Sequence, residues 1–277
     1  MAYLIAISIL WSFSFGIIKY GLSGIDSSFI SFARNIIALV FFSSVTIYNI
    51  KKFSFDLRLI GIGALQFGLM YVFYIKSYEY LPAYLIATFT ITTPIYVAFA
   101  SKYFNYKPFN KNGIYAISLV VIGSYLMRFN SLNLKDYLLG FMLIQCANIF
   151  FATGRILFKK WNNENRGVDI LHNFSQLFFG ATLITSIFYY FDFSKDLILT
   201  QTNLYALLFL GIISSGIGFL MWNIGATKVS AEKLSIMNNV VIPIAIFNSY
   251  LIFGEAINFM LFLPGLIFFY LALKLVS

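Results

Sequence analysis

Charged side chains are few in this chain, and acidic ones the fewer: ten Asp and Glu against nineteen Lys and Arg in 277 residues, 10% charged in all. A soluble domain needs about a quarter of its residues charged to cover its surface, so this scarcity excludes a water-soluble globule. One cysteine, Cys146, excludes an intrachain disulfide, and one histidine, His172, leaves no cluster of metal ligands. The same shortage starves the nucleophile–base and metal constellations that a membrane-embedded enzyme would use. A phosphate-binding loop is missing too, because Gly61, Gly63 and Gly68 lie inside an apolar run and follow no strand. The net charge of +9 is not gathered into a basic patch that would hold nucleic acid; Lys and Arg stand singly or in pairs between apolar runs.

What is present in abundance is apolar sequence, 60% of the chain, with a mean hydropathy of +0.85. A bilayer core of about 30 Å needs about 20 apolar residues per helix. That ruler predicts an all-α polytopic membrane protein with ten transmembrane helices at about 3–22, 29–48, 59–80, 84–104, 112–129, 137–159, 171–191, 203–226, 231–253 and 257–275. The first run reads as a span and not as a cleavable leader, since no basic segment precedes it. Connections are short, which leaves no soluble domain.

Lys and Arg serve as topology signals. Thirteen fall on the amino-terminal side: Lys51, Lys52, Arg58, Lys102, Lys107, Lys111, Arg155, Lys159, Lys160, Arg166, Lys228, Lys233 and Lys274. Five fall opposite (Lys19, Lys76, Arg128, Lys135 and Lys195), and Arg34 lies within a span. The bias places both termini in the cytoplasm.

The chain also reads as a duplication. An offset of 149 sets Pro94 on Pro243, Phe73 on Trp222, Ala83 on Glu232 and Tyr106 on Glu255, and the order small residue, aromatic cluster, turn, proline-containing helix is shared. The boundary falls near Asn130 to Asp136, giving repeats 1–130 and 137–277 of five helices each. An odd number per repeat forces the second to lie upside down, and the charge bias inverts accordingly: connections after spans 2 and 4 carry six basic residues, those after spans 7 and 9 only Lys195.

These residues resemble the EamA-type branch of the drug/metabolite transporter superfamily. ILWSFSFGIIKYGL followed by SFARNIIALVFF, with Trp11 and Arg34, is similar to the family's opening pair of helices. GFLMWNIGATKVSAEKLSIMNNVVIPIAIFNSYLIFGEAI, with Pro243 and Gly254-Glu255, is the more specific segment. The first half departs from the pattern, carrying Asn105-Tyr106 where the family often has Gly-Glu. The resemblance implies helices 1–4 and 6–9 around a central cavity, helices 5 and 10 at the periphery, and export as the direction of transport.

The candidate substrate-binding residues are the polar and aromatic positions on the presumed cavity helices: Trp11, Ser14, Phe15, Gln66, Tyr71, Tyr74, Thr92, Tyr96, Asn148, Ser214, Trp222, Asn223, Asn238 and Asn239, with Thr93 and Gln145 beside them. Polar side chains at mid-depth either bond a neighbouring helix or face a wet pathway, and aromatic faces take cations or planar groups. Tyr20, Tyr48, Tyr80 and Trp161 read as interfacial anchors. The gating or coupling candidates are Arg34, Glu79, Pro94 and Pro243. Arg34 is either an anion contact or an arginine that snorkels or pins helices near the outer surface; Glu79 either pairs with Lys76 at the outer end of its helix or faces the cavity as a proton carrier. The two prolines are either hinges or static bends, and Glu255 is expected to cap the last helix or pair with a neighbour.

The function expected is a secondary active transporter, an exporter or exchanger of small metabolites such as amino acids, working by alternating access. The alternatives are a membrane-embedded enzyme, a channel or a non-transporting interaction protein. Its partners are a small-molecule substrate and the lipid bilayer of the bacterial inner membrane, with no nucleic acid, cofactor or metal; monomer and homodimer both stay open.

Overall fold

In a computed structural model the described residues are helical and contain no strand. The structure describes all residues except 82, 105, 107–108, 128–136, 193–196, 254–257 and 277, and backbone alone at 83–84 and 249–253. The expected boundary near Asn130 to Asp136, the cap Glu255, Asn105, and the topology residues Lys107, Arg128, Lys135 and Lys195 lie outside the described residues.

In chain order the helices are α1 (Ala2–Gly21), α2 (Ser27–Tyr48), α3 (Leu57–Glu79), α4 (Leu85–Tyr103), α5 (Lys111–Met127), α6 (Leu138–Glu164), α7 (Ile170–Phe191), α8 (Gln201–Thr227), α9 (Ala231–Asn239), α10 (Val241–Phe253) and α11 (Phe259–Leu275). Seven of them, α1–α4 and α6–α8, are long and apolar enough to cross a membrane. The single span expected at 231–253 is two helices that meet at Val240.

Helix starts are written in the sequence as polar caps. Asp26, Asp56, Asp169, Ser230 and Asn258 each accept a backbone N–H of the helix that follows, and Thr200 forms a reciprocal capping box with Asn203. Each such cap stabilises its helix by about 1 kcal/mol. At Asp56 the Arg58 side chain, and after it the Trp161 indole, hold the carboxyl down at about 2 although burial works against them.

Among the helices, α2 packs on α7 and α5 on α11; α1 packs on α8 and α6 on α3; α2 packs on α8 and α7 on α3; α1 packs on α10 and α6 on α4; α4 packs on α9. In lipid such packing depends on close backbone approach. Gly63 of α3 and Gly180 of α7 supply it: a Cβ at Gly63 would strike the Leu177 backbone, and one at Gly180 the Ile60 carbonyl.

Four irregularities interrupt the bundle near its middle. α3 and α8 contain π-helical stretches, Ala64–Leu69 and Phe209–Ile217, whose wide turns loosen the regular hydrogen-bond ladder. α4 breaks at the 3-10 turn Thr90–Thr92, and the α9–α10 pair breaks at Val240. Pro94 and Pro243 each sit just after a break, Pro94 in the first turn of Thr93–Tyr103. There its missing N–H leaves nothing unbonded, so the proline begins a new helix and does not bend an existing one.

Candidate functional site

These breaks surround a cavity of about 110 Å³, lined from α1, α2, α3, α4, α6, α8, α9 and α10. One side is aromatic. Trp11 stacks on Trp222 with ring centroids 4.8 Å apart, and Phe219 and Phe151 set their edges on Trp11 at 5.1 and 6.2 Å. The Trp11 indole donates to the Ser214 carbonyl at 3.0 Å, inside the π-helical stretch of α8. The remaining wall is more polar: Ser14 and Ser214 share a hydrogen bond of 2.9 Å, Asn148 reaches the Phe89 carbonyl at 3.0 Å, and Thr90, Thr93 and Asn238 complete it.

Arg34 belongs to this wall and is only 2% exposed. Snorkelling to the outer surface is therefore not its state. Its Nη2 donates to the Tyr71 hydroxyl at 2.7 Å, its Nε to Ser215 Oγ at 3.2 Å, and its guanidinium lies 4.2 Å from the Tyr71 ring centre. Nη1 has no partner.

A second arginine was not legible as a site residue. Arg155, counted above with the cytoplasmic loop charges, is fully buried, its guanidinium 3.8 Å from the Phe151 ring and 4.7 Å from the Trp222 ring. It donates to Asn238 Oδ1, while Nε and Nη2 have no partner. Lys159, one turn on, is likewise buried and donates to the Ala226 and Val229 carbonyls. Among the described residues no carboxylate pairs with either arginine, and none is buried.

Of the candidates, Trp11, Ser14, Phe15, Arg34, Tyr71, Tyr74, Asn148, Ser214, Trp222 and Asn238 come together on the cavity wall, with Thr93. Gln66 and Asn223 instead bond each other at 2.9 Å, fully buried, and so tie α3 to α8. Thr92 and Tyr96 both donate to Gln145 Oε1, at 2.6 and 3.1 Å. Asn239 donates to the Ile91 carbonyl at 2.9 Å, spanning the two breaks. Glu79 is 42% exposed, pairs with Lys76 at 3.1 Å and borders a separate vestibule of about 480 Å³. Trp161 is no interfacial anchor; it is buried and donates to Asp56 Oδ2 at 2.8 Å. Of the wall positions that sequence reading missed, Phe151, Phe219 and Met70 carry no hydroxyl or amide to set them apart from lipid-facing neighbours, whereas Thr90 carries a hydroxyl and was passed over beside Thr92 and Thr93.

A family model described as the EamA-like transporter family matches residues 1–129 and 138–277. The chain belongs to this family. That is the family which Trp11, Arg34 and the segment from Gly218 resemble, and with it the chain is a multi-pass membrane transporter. It is 32% identical over 270 residues, 96% of this chain and 89% of the other, to a biotin transporter of Salmonella typhimurium. It is 31% identical to the biotin transporter of Escherichia coli over 96% of this chain and 89% of the other, and 31% identical to a probable biotin transporter of Pseudomonas aeruginosa over 92% and 90%. A crystal structure of a protein 10% identical in sequence overlays with a TM-score of 0.78 across 99% of this chain and 96% of that one, which is a likeness of fold alone.

Proposed function

We propose that this EamA-like chain is a secondary active carrier of the bacterial inner membrane, built from ten spans in two inverted five-helix repeats, with both termini cytoplasmic and biotin as its substrate. The observation that carries the reading is the central cavity, lined by α1–α4 on one side and α6 and α8–α10 on the other, joined to relatives named as biotin transporters. Biotin offers an apolar thiolane ring and the planar face of its ureido group for an aromatic wall, and ureido N–H and C=O groups that donate and accept, as Asn148, Asn238, Ser14 and Ser214 do. These features favour biotin over the amino acids first expected.

The inverted repeat is supported by the packing. Exchanging the halves turns α1 on α8 into α6 on α3, α2 on α8 into α7 on α3, and α1 on α10 into α6 on α4, while α2 on α7 and α5 on α11 map onto themselves. Breaks in α4 and at Val240, and π-helical stretches in α3 and α8, recur in the same order. Such symmetry is how one half rocks against the other around a fixed site.

The test is uptake of labelled biotin into proteoliposomes containing the purified chain, against protein-free vesicles. The expected result is saturable uptake, in the direction set by the imposed gradient, that excess biotin suppresses and a panel of amino acids does not. Equal counts in both vesicle types, or suppression by an amino acid, would overturn the reading.

A further inference from the structure

Arg34 on the cavity wall and Arg155 behind its aromatic side are both buried, and among the described residues no carboxylate answers either. A charge held within a bilayer is costly and is ordinarily paired or in water, and the aromatic faces beneath Arg34 and Arg155 compensate it only in part. Arg34 Nη1 is an unpartnered donor on a residue of the cavity wall that is 2% exposed. Nη2 and Nε are occupied by Tyr71 and Ser215, which fix the plane of the fork. Arg155 lies against Phe151 and Trp222, both of which face the cavity, so its charge acts through the aromatic wall.

We propose that Arg34 is the carboxylate-recognition group of this site, with Arg155 as a positioning residue whose charge adds to its field. The cavity then selects monoanionic organic molecules and orients the anionic end toward α2. This rests on the cavity being the substrate site, and it names the end of biotin that decides recognition: the valerate, not the ring.

The purified full chain is titrated with biotin and with biotinamide, which differs only in lacking the charge. Wild-type protein is expected to bind biotin about 10- to 100-fold tighter, the worth of a charge-assisted hydrogen bond in a dry site. Arg34→Gln is expected to lose that preference while keeping its affinity for biotinamide, and Arg34→Lys to recover part of it. Arg155→Gln is expected to narrow the preference by less. Equal affinity of the wild type for the two ligands overturns the proposal without any variant, even if a variant does not fold; so does an Arg34→Gln protein that still discriminates. Equal loss of both ligands in Arg155→Gln overturns its positioning role. If neither biotin compound binds, thermal stabilisation by a panel of monocarboxylates and their amides decides. Stabilisation by an acid and not its amide keeps the anion site and discards biotin; no stabilisation by any acid discards the site.

A second observation stands apart from ligand chemistry. Lys19, in the last turn of α1, donates to the carbonyls of Tyr78 and Leu81 at 2.9 and 3.3 Å. Lys159 of α6 donates to the carbonyls of Ala226 and Val229, the first at 2.8 Å. In each half, then, a lysine of the first helix fastens the end of the third, where helix carbonyls lack partners of their own. Ile18, beside Lys19, lines both the central cavity and the vestibule that Lys19 and Tyr78 border.

We infer that the two lysines are latches on opposite mouths of the cavity, and that both are fastened here. The test uses Ser14→Cys in a Cys146→Ala background, labelled by an impermeant maleimide applied from either face in vesicles of known orientation. Lys19→Met is expected to speed labelling from the Lys19 face and slow it from the other, and Lys159→Met to do the reverse. Rates that are unchanged, or that rise alike from both faces, would overturn it.

Discussion

On the inverted repeat proposed for this transporter, the two halves share their mechanical positions and differ at their cavity positions. Asp26 caps α2 and Asp169 caps α7; Lys19 and Lys159 fasten equivalent helix ends; α3 and α8 share a π-helical stretch. Four residues before each lysine, however, stand Phe15 and Arg155, and eight residues after each capping aspartate stand Arg34 and Leu177. Arg34 faces the cavity, whereas Leu177 is fully buried with its backbone against Gly63. Under that proposal both kinds of position occupy one scaffold, which would hold its moving parts in common while one asymmetric molecule is read by unlike walls.

Exchanging residues between the halves is the sharpest way to break this comparison. Leu177→Arg would bury an unpaired charge where helices touch through glycine, and the loss, more than about 4 kcal/mol, should leave no folded protein; size-exclusion profiles of extracted membranes check it. Arg34→Leu, the reverse exchange, should leave a monodisperse protein whose kcat/KM for biotin falls about 10- to 100-fold, measured as initial uptake rates in proteoliposomes. Asp26→Ala and Asp169→Ala should each cost about 1 kcal/mol of stability through the lost cap, seen as similar shifts in thermal unfolding in detergent.

The smallest effect expected is acid sensitivity. Arg58, and then Trp161, lower the Asp56 carboxyl from 3.8 to about 2 in the folded chain, against the pull of burial. A depressed carboxyl contributes stability above its unfolded value that is lost as pH falls through the folded one. Unfolding followed from pH 6 to 2 should therefore show a decline below about pH 4 that Asp56→Asn reduces.

Much of this was legible because the bilayer imposes simple rules. Apolar length marked the helices, and aromatic or polar interruptions on the presumed cavity helices found Trp11, Tyr71, Tyr74, Asn148, Trp222 and Asn238. Pairing was not legible, since nothing local says that Gln66 bonds Asn223 while Asn148 lines a cavity. Arg155 and Lys159 misled for a physical reason. Basic residues near the cytoplasmic end of an apolar run ordinarily sit in a loop, but α6 runs 27 residues, longer than the about 20 a bilayer needs, and holds both inside the bundle. Trp161 followed them inward to meet Asp56.

The central claim, one cavity presented in turn to the two faces of the membrane, is tested most directly by counterflow. Vesicles loaded with unlabelled biotin and diluted into a trace of labelled biotin should accumulate label transiently above its external concentration, because outward movement of the loaded site returns it to take up label. Label that only equilibrates, with no overshoot, would contradict a carrier and point to a pore.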